Sequence, residues 1–338
     1  MGSNPAGHVC FIGFWNRYFF NAIVAVMTEL PPEFTERLKR ILSAEAYRLA
    51  LESYARPRAL SFRMNPLKAM LPNEREVLTE SFGLKPVPWC QEAFVASRGT
   101  LRELQETEAY QRGALYVQEL SSMVPALLLE PKPGETILDL TAAPGSKTSQ
   151  MAAVMNNTGR ILANDVSRAR FFKMKANMEN LGVRNVDYRV SKGENVGRKM
   201  SGVFDRVLLD APCSGEGRFH LSDPESFSGW KLSKYKSLVP RQKMLFYSAW
   251  QALKPGGTLV YSTCTFAPEE NEGILDWALE KFETMKILPV NQRMPNWTAG
   301  MTAWGKHTYD AQVENAVRIL PDGVMEGFFS AKILKQPT

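Results

Sequence analysis

The chain has 338 residues, enough for one large α/β domain and a smaller companion. A hydrophobic fraction of 44% excludes wholesale disorder, and a net charge of +6 suits a polyanionic partner better than an acidic one. Four separated cysteines (Cys10, Cys90, Cys213, Cys264) form no CxxC pair, and His8, His220 and His307 form no cluster, which argues against a metal site and for a reduced, cytosolic compartment.

Within the first 26 residues, Phe19 to Val26 is apolar apart from Asn21 and follows Arg17. That faintly resembles a signal peptide, but no small-residue cleavage site follows, and the run falls short of the ~20 residues that span a bilayer. Residues 1–26 are expected to be an upstream extension of the kind a misplaced start produces, with no targeting role and no membrane partner. From Pro32 the pattern turns helical: Phe34, Leu38, Ile41 and Leu42 share one face, as do Tyr47, Ala50, Leu51 and Tyr54, until Pro57 stops the run. Leu60, Phe62 and Met64 alternate with polar residues like a half-buried strand. A helix over Glu74–Phe82 and strand-like pieces near Phe94 complete an α+β unit spanning 27–114.

From about residue 115 the rhythm changes. Strand candidates at Thr136–Leu140, Ile161–Asp165, Val186–Val190, Val203–Leu209 and Thr258–Tyr261 alternate with helices near Lys147–Met155, Arg168–Leu181 and Lys234–Leu253. Such alternation predicts a mostly parallel sheet covered on both faces, with ligands at the carboxyl ends of its strands. A last strand is predicted at Gly327–Ile333.

The first of those strand ends carries Thr141-Ala-Ala-Pro-Gly145-Ser-Lys147. The small-residue turn brings backbone N–H groups close to a ligand. Ser146 stands where a phosphate-cradling P-loop needs glycine, and Gly145 is the loop's only glycine, so the dinucleotide pattern fails too. A nucleoside-like cofactor without phosphates remains. Asp165, at the second strand end, is either an acceptor for ribose hydroxyls or a helix N-cap.

Cys213 and Cys264 each fall at a strand end where ligands bind. A lone free cysteine is usually buried and inert, but two at one sheet edge suggest chemistry. Carbon 5 of cytosine is too weak a nucleophile to take a methyl from a sulfonium. A thiolate adding at carbon 6 makes carbon 5 enamine-like, and a nearby cation lowers the thiol's pKa. Lys147 is a candidate for that cation, and Asp210 for stabilising charge at N3 or the amino group.

At this point the residues resemble a family. Phe204-Asp-Arg-Val-Leu-Leu-Asp-Ala-Pro-Cys-Ser-Gly215 is similar to the signature of Sun-type RNA (cytosine-5) methyltransferases, Asp139–Thr148 to their cofactor motif, and Ser262-Thr-Cys-Thr265 with Glu269-Glu-Asn-Glu272 to their nucleophile motif. Leu60–Asn65 and Tyr116–Ser122 are also similar to family segments, and the match covers roughly residues 27–338. Gly-Ser-Lys-Thr, Pro88-Trp-Cys90 and Leu208–Gly217 look most like the bacterial small-subunit rRNA methyltransferase F type.

The resemblance implies a Rossmann-like class I methyltransferase domain over 115–338, a mostly parallel seven-stranded sheet, behind a small RNA-recognition-like subdomain. It implies S-adenosylmethionine as cofactor and formation of 5-methylcytosine in RNA, with rRNA as the substrate and tRNA as the alternative, by a monomer. Cys264 would attack the base and Cys213 would help release the product, with Asp210 and Lys147 in support. Cofactor contacts would fall on Thr141, Ala142, Ala143, Pro144, Gly145, Ser146, Lys147, Asp165, Arg170 and Asp210, and at the third strand end on Lys192, where the family usually carries Asp. Glu194 or Asp187 would then accept from the adenine amino group, since an ammonium cannot. The stretch Gly217–Pro224 is one residue longer than the family pattern, and the chain ends at Thr338 without the C-terminal RNA-binding extension of longer relatives.

Arg168, Arg170, Lys173 and Lys175 cluster on one helix, and Lys231, Lys234, Lys236, Arg241 and Lys243 on another. Either cluster alone reads as a solvated face, but Trp230 and Tyr235 beside the second favour RNA if they are exposed for stacking. Cys90 beside Trp89 is expected to pack. Two rivals are a DNA cytosine-5 methyltransferase, which takes its nucleophile from a Pro-Cys pair like Pro212-Cys213 but has no counterpart of Cys264, and a non-catalytic RNA-binding assembly factor.

Overall fold

A computed structural model describes residues 30–291, 294 and 296–337, so the expectation for residues 1–26 lies outside the described residues. Two short helices open the described chain, Pro32–Ile41 and Ala44–Ala55. The single helical run expected there is broken at Leu42, and the Ser43 hydroxyl accepts from the Ala46 N–H at 3.2 Å to cap the second helix. Neither helix packs on the small sheet that follows. Phe34 meets Phe219 and Trp230 edge-on at 4.8 and 5.6 Å between centroids, in a cluster completed by Tyr54, Tyr235 and Phe266. Trp230 and Tyr235 are therefore buried, which corrects the expectation that they stand exposed for base stacking.

The small sheet comprises β1 (Leu60–Met64), β2 (Leu84–Val87), β3 (Cys90–Ala96) and β4 (Leu115–Val117). It is antiparallel in the order β2-β3-β1-β4, with the helix Glu74–Phe82 after β1 and helices at 101–111 before β4. On one face Phe62 and Phe94 pack with Leu78, Phe82 and Leu104 of those helices. On the other, Ala93 and Val95 pack with Leu120 and Met123, and the buried Arg63 reaches Gln118 Oε1 at 2.8 Å and Ser146 O at 3.1 Å. Free RNA-recognition sheets offer one face to stacked bases. Here both faces are covered, so any RNA contact from this unit comes from its rim.

The large sheet has nine strands among the described residues. Five are parallel: β5 (Thr136–Asp139), β6 (Arg160–Asp165), β7 (Val186–Val190), β8 (Phe204–Asp210) and β9 (Leu253–Thr263), lying in the order β7-β6-β5-β8-β9. Leu138, Val207, Leu259 and Tyr261 are fully buried within it. Antiparallel strands extend the expected seven: β10 (Met285–Leu288), β11 (Trp297–Ala299), β14 (Val317–Ile319) and β15 (Phe328–Lys335), with a two-residue hairpin, β12 (Ala303–Trp304) and β13 (His307–Thr308), set apart. β15 runs along β9, and β10 and β14 share its outer edge. Strand order reverses between β5 and β8, which opens a crevice at their carboxyl ends. The helix Leu120–Leu129, apolar on most sides and unforeseen by periodicity, packs against β8 and β9. No helix among the described residues is long and apolar enough to cross a membrane.

Candidate active site

The crevice is a cavity of about 640 Å³ between the small sheet and the carboxyl edge of the large one. Thr141 through Pro144, Ser146, Lys147, Arg170, Asp210 and Cys264 all line it, facing Arg58, Leu101 and Tyr116. Its size suits a nucleoside-sized ligand. Gly145 and Asp165 stand behind that wall, Cys213 sits behind Cys264, and Lys192 is exposed and does not line the cavity.

The loop after β5 is braced from several sides. Thr148 Oγ1 donates to the buried Asp139 at 2.7 Å, and Ala142 N–H to Asn164 O at 2.8 Å. Burial pushes the Asp139 carboxyl up to about 7, against the pull of the Thr148 hydrogen bond. Gly145 has φ 99°, and a Cβ there would come within 2.7 Å of Met178 Cε, so both backbone and space require glycine. Asp165 accepts from Ala143 N–H at 3.2 Å and Ser167 N–H at 2.8 Å, and lies 3.6 Å from Arg170. It thus anchors the loop and the turn before the next helix, but the N-cap there is Ser167, whose hydroxyl accepts from Arg170 N–H, which corrects the N-cap alternative.

Lys147 donates to Asp210 Oδ2 at 2.7 Å and to Ser122 Oγ at 2.9 Å. Ser262 donates to the other carboxylate oxygen of Asp210 at 2.9 Å. The two thiols lie 3.2 Å apart, both half-buried, and Cys264 N–H points to Cys213 Sγ at 3.3 Å. The hydrogen bond with Cys264, and then burial, push the Cys213 thiol well above the usual thiol range. Cys90 is buried in an apolar cluster, as expected of a packing residue. The described residues contain no group of side chains that would hold a metal ion.

Sequence reasoning missed the scaffold beneath the thiols. Glu216, fully buried, accepts from Trp230 Nε1 at 2.9 Å, from the Tyr235 hydroxyl, from Thr265 Oγ1 at 2.8 Å and from Phe266 N–H at 3.2 Å. Glu270 accepts from Ser214 N–H at 3.0 Å and Gln242 at 2.8 Å, and Asn271 bridges Thr263 and Thr265. Arg318 clamps Glu272 through two 2.6 Å bonds, deep in the core. The signal was the acidic run Glu269–Glu272 and Glu216 itself, which composition places at the surface.

At the β7 end, Asp187 is exposed and ion-paired with Arg160 below the strand's carboxyl end, which removes it as an adenine acceptor. Glu194 is held by Arg241 at 3.3 Å through one oxygen, while its other oxygen is buried without a partner. Arg168, Arg170, Lys173 and Lys175 are exposed; in the second cluster Arg241 pairs with Glu194, and Lys243 lies 5.1 Å from the Trp277 ring.

Residues 126–334 match the family described as 16S rRNA methyltransferase RsmB/F, and residues 30–120 the N-terminal domain of 16S rRNA methyltransferase RsmF. The chain is 38% identical over 325 residues to the ribosomal RNA small subunit methyltransferase F of Citrobacter koseri, covering 94% of this chain and 64% of that one. An Escherichia coli protein of the same name is 37% identical over the same shares, so the chain spans 64% of the length of these curated relatives. A methyltransferase homolog protein from Pyrococcus horikoshii superposes with a TM-score of 0.80 at 34% identity, over 93% of this chain and 99% of that one.

Proposed function

This chain belongs to the 16S rRNA methyltransferase RsmB/F family, and on that footing we propose that it forms 5-methylcytosine in ribosomal RNA with S-adenosylmethionine as methyl donor. The observation that carries the proposal is the pair of thiols 3.2 Å apart at the edge of a nucleoside-sized cavity. A DNA cytosine methyltransferase has no use for the second of them.

The residues present fit the donor. Thr141–Pro144, Ser146 and Lys147 line the cavity without phosphate-cradling glycines, Asp165 keeps lone pairs beyond the bonds it accepts from Ala143 and Ser167, and Glu194 holds an orphaned buried oxygen near the β7 end. When bound, the donor supplies an electrophilic methyl group. Cys264 adds to carbon 6 of cytosine, and Asp210, fixed by Lys147 and Ser262, accepts a hydrogen bond from the amino group or protonated N3 as charge develops in the ring. Carbon 5 then takes the methyl, and loss of its proton expels the Cys264 thiolate.

The test is incubation with labelled donor and 16S rRNA, followed by digestion to nucleosides. Label in 5-methylcytosine is expected; binding to RNA without label in any nucleoside would leave only an assembly factor. Lys192→Asp bears on the donor site separately. With Glu194 serving as acceptor, calorimetry should give a donor affinity within about threefold of the parent. A gain of about tenfold, about 1.4 kcal/mol, would show that the native site lacks an acceptor.

A further inference from the structure

We propose that Arg58 and Arg218 form a clamp for the phosphodiester on the 5′ side of the target cytidine. The inference rests on Cys264 attacking carbon 6 of that base. In the anti conformation, carbon 6 is the edge of a pyrimidine that faces its own 5′-phosphate. A base seated for attack therefore brings that phosphate to the cavity rim on the Cys264 side. Both arginines line the cavity together with Cys264. Arg218 ends the short turn Glu216–Arg218, and Gly217 N–H in that turn donates to Cys264 O at 3.0 Å. Arg58 lies between the helix Ala44–Ala55 and β1, and its Nη2 donates to Arg218 O at 2.7 Å. The rim beneath them is braced by backbone contacts. Leu221 N–H donates to Tyr54 O at 3.0 Å and Gly327 N–H to Gly217 O at 3.2 Å, while a Cβ at Gly217 would meet Gly327 O at 1.9 Å.

The guanidinium ends are held far more loosely than the backbone. One carboxylate serves both: Glu326 lies 3.4 Å from Arg58 Nε and 3.7 Å from Arg218 Nε. Those separations contrast with the two 2.6 Å bonds by which Arg318 clamps Glu272 in the core. The arginine side chains are 44% and 61% exposed, and each guanidinium carries five N–H donors, so donors remain for a further anion. Glu326 also balances them poorly, because burial, and then the neighbouring Glu119, pushes its carboxyl up to about 7. Near neutral pH it offsets less than one of the two positive charges. The other cations on the cavity wall are engaged elsewhere, Lys147 with Asp210 at 2.7 Å and Arg170 with Asp165 at 3.6 Å. Two planar guanidinium groups beside the nucleophile suit a phosphodiester, whose oxygens accept paired N–H bonds.

The test is the salt dependence of 16S rRNA binding by the full chain without donor, read as the slope of log affinity against log salt. Each phosphate contact contributes about 0.7–0.9 to that slope. Arg58→Gln and Arg218→Gln should each lower it by about that amount and the double variant by about twice as much, while Arg218→Lys keeps the parent slope. Unchanged slopes in both glutamine variants overturn the proposal and leave the arginines as partners of Glu326 alone. A change that lysine does not recover overturns it too, because it reports a disturbed rim and not a missing charge. Methylation at saturating RNA locates the contact: Arg218→Gln should lower kcat by about tenfold, since a base released at its phosphate no longer meets the sulfur in register. A loss confined to KM would place the bound phosphate away from the target and refute the clamp. A parent that binds 16S rRNA but forms no 5-methylcytosine refutes the proposed function beneath it, whereas an unchanged slope beside an active parent refutes the clamp alone.

Discussion

Cys264→Ala is expected to abolish methylation, by at least about 10³-fold, and to leave no covalent RNA adduct, while Cys213→Ala loses turnover yet accumulates that adduct. The asymmetry follows from the geometry of the pair. The hydrogen bond with Cys264, ahead of burial, holds the Cys213 thiol above its usual range, so in the proposed mechanism Cys213 keeps its proton and leaves the attack to Cys264. Once the Cys264 sulfur is bonded to carbon 6 it carries no charge, and that influence weakens while burial remains. In the proposed elimination Cys213 gives its proton to water and, as the thiolate, takes the proton from the methylated carbon 5, and the electrons of that C–H bond restore the ring double bond and expel the Cys264 thiolate. Without the Cys213 thiol, addition and methyl transfer proceed but elimination stalls. Denaturing gels with labelled RNA check both variants; adduct in Cys264→Ala and none in Cys213→Ala would reverse the two roles.

The candidate site residues were legible because ligands in this fold sit directly after strands, and strand ends can be read from apolar runs. Cys264, Cys213, Asp210 and the Thr141–Lys147 loop were all located that way, and the structure brings them to one cavity edge. Partners distant in sequence were not legible. Arg318 lies 46 residues from Glu272, and nothing in either local pattern announces a buried ion pair. Trp230 and Tyr235 failed for a related reason: their neighbours are lysines, which suggests a surface, but their polar ends are consumed by a buried carboxylate. Periodicity also showed that Phe34, Leu38 and Tyr54 share apolar faces without telling what covers them. The cover is Phe219, Trp230 and Phe266, more than 160 residues away in the chain, and not the adjacent sheet.

Glu216 shows how that hidden cover serves the chemistry. Four donors converge on its two oxygens, and two of them, Thr265 and Phe266 N–H, belong to the segment that immediately follows the nucleophile. Its backbone carbonyl also accepts from the Tyr54 hydroxyl at 3.2 Å, so the second helix, the 216–218 turn and the Cys264 loop meet at one residue. Glu216→Ala leaves these donors buried without an acceptor, and a loss on the order of 3–5 kcal/mol of unfolding free energy is expected. Out of a typical total of about 5–15 kcal/mol, that brings the protein close to its unfolding limit at 37 °C. Glu216→Gln preserves shape and one acceptor oxygen, so it should cost less, roughly 1–3 kcal/mol, and remain folded enough to assay. Urea unfolding measures both variants. In the folded Glu216→Gln protein, activity should fall further than donor binding does, because the loop that aims the Cys264 sulfur is loosened while the Thr141–Lys147 wall, braced independently by Asp139 and Asn164, keeps its shape. Parallel losses in donor binding and activity would instead mean that Glu216 supports the whole cavity and not the nucleophile loop.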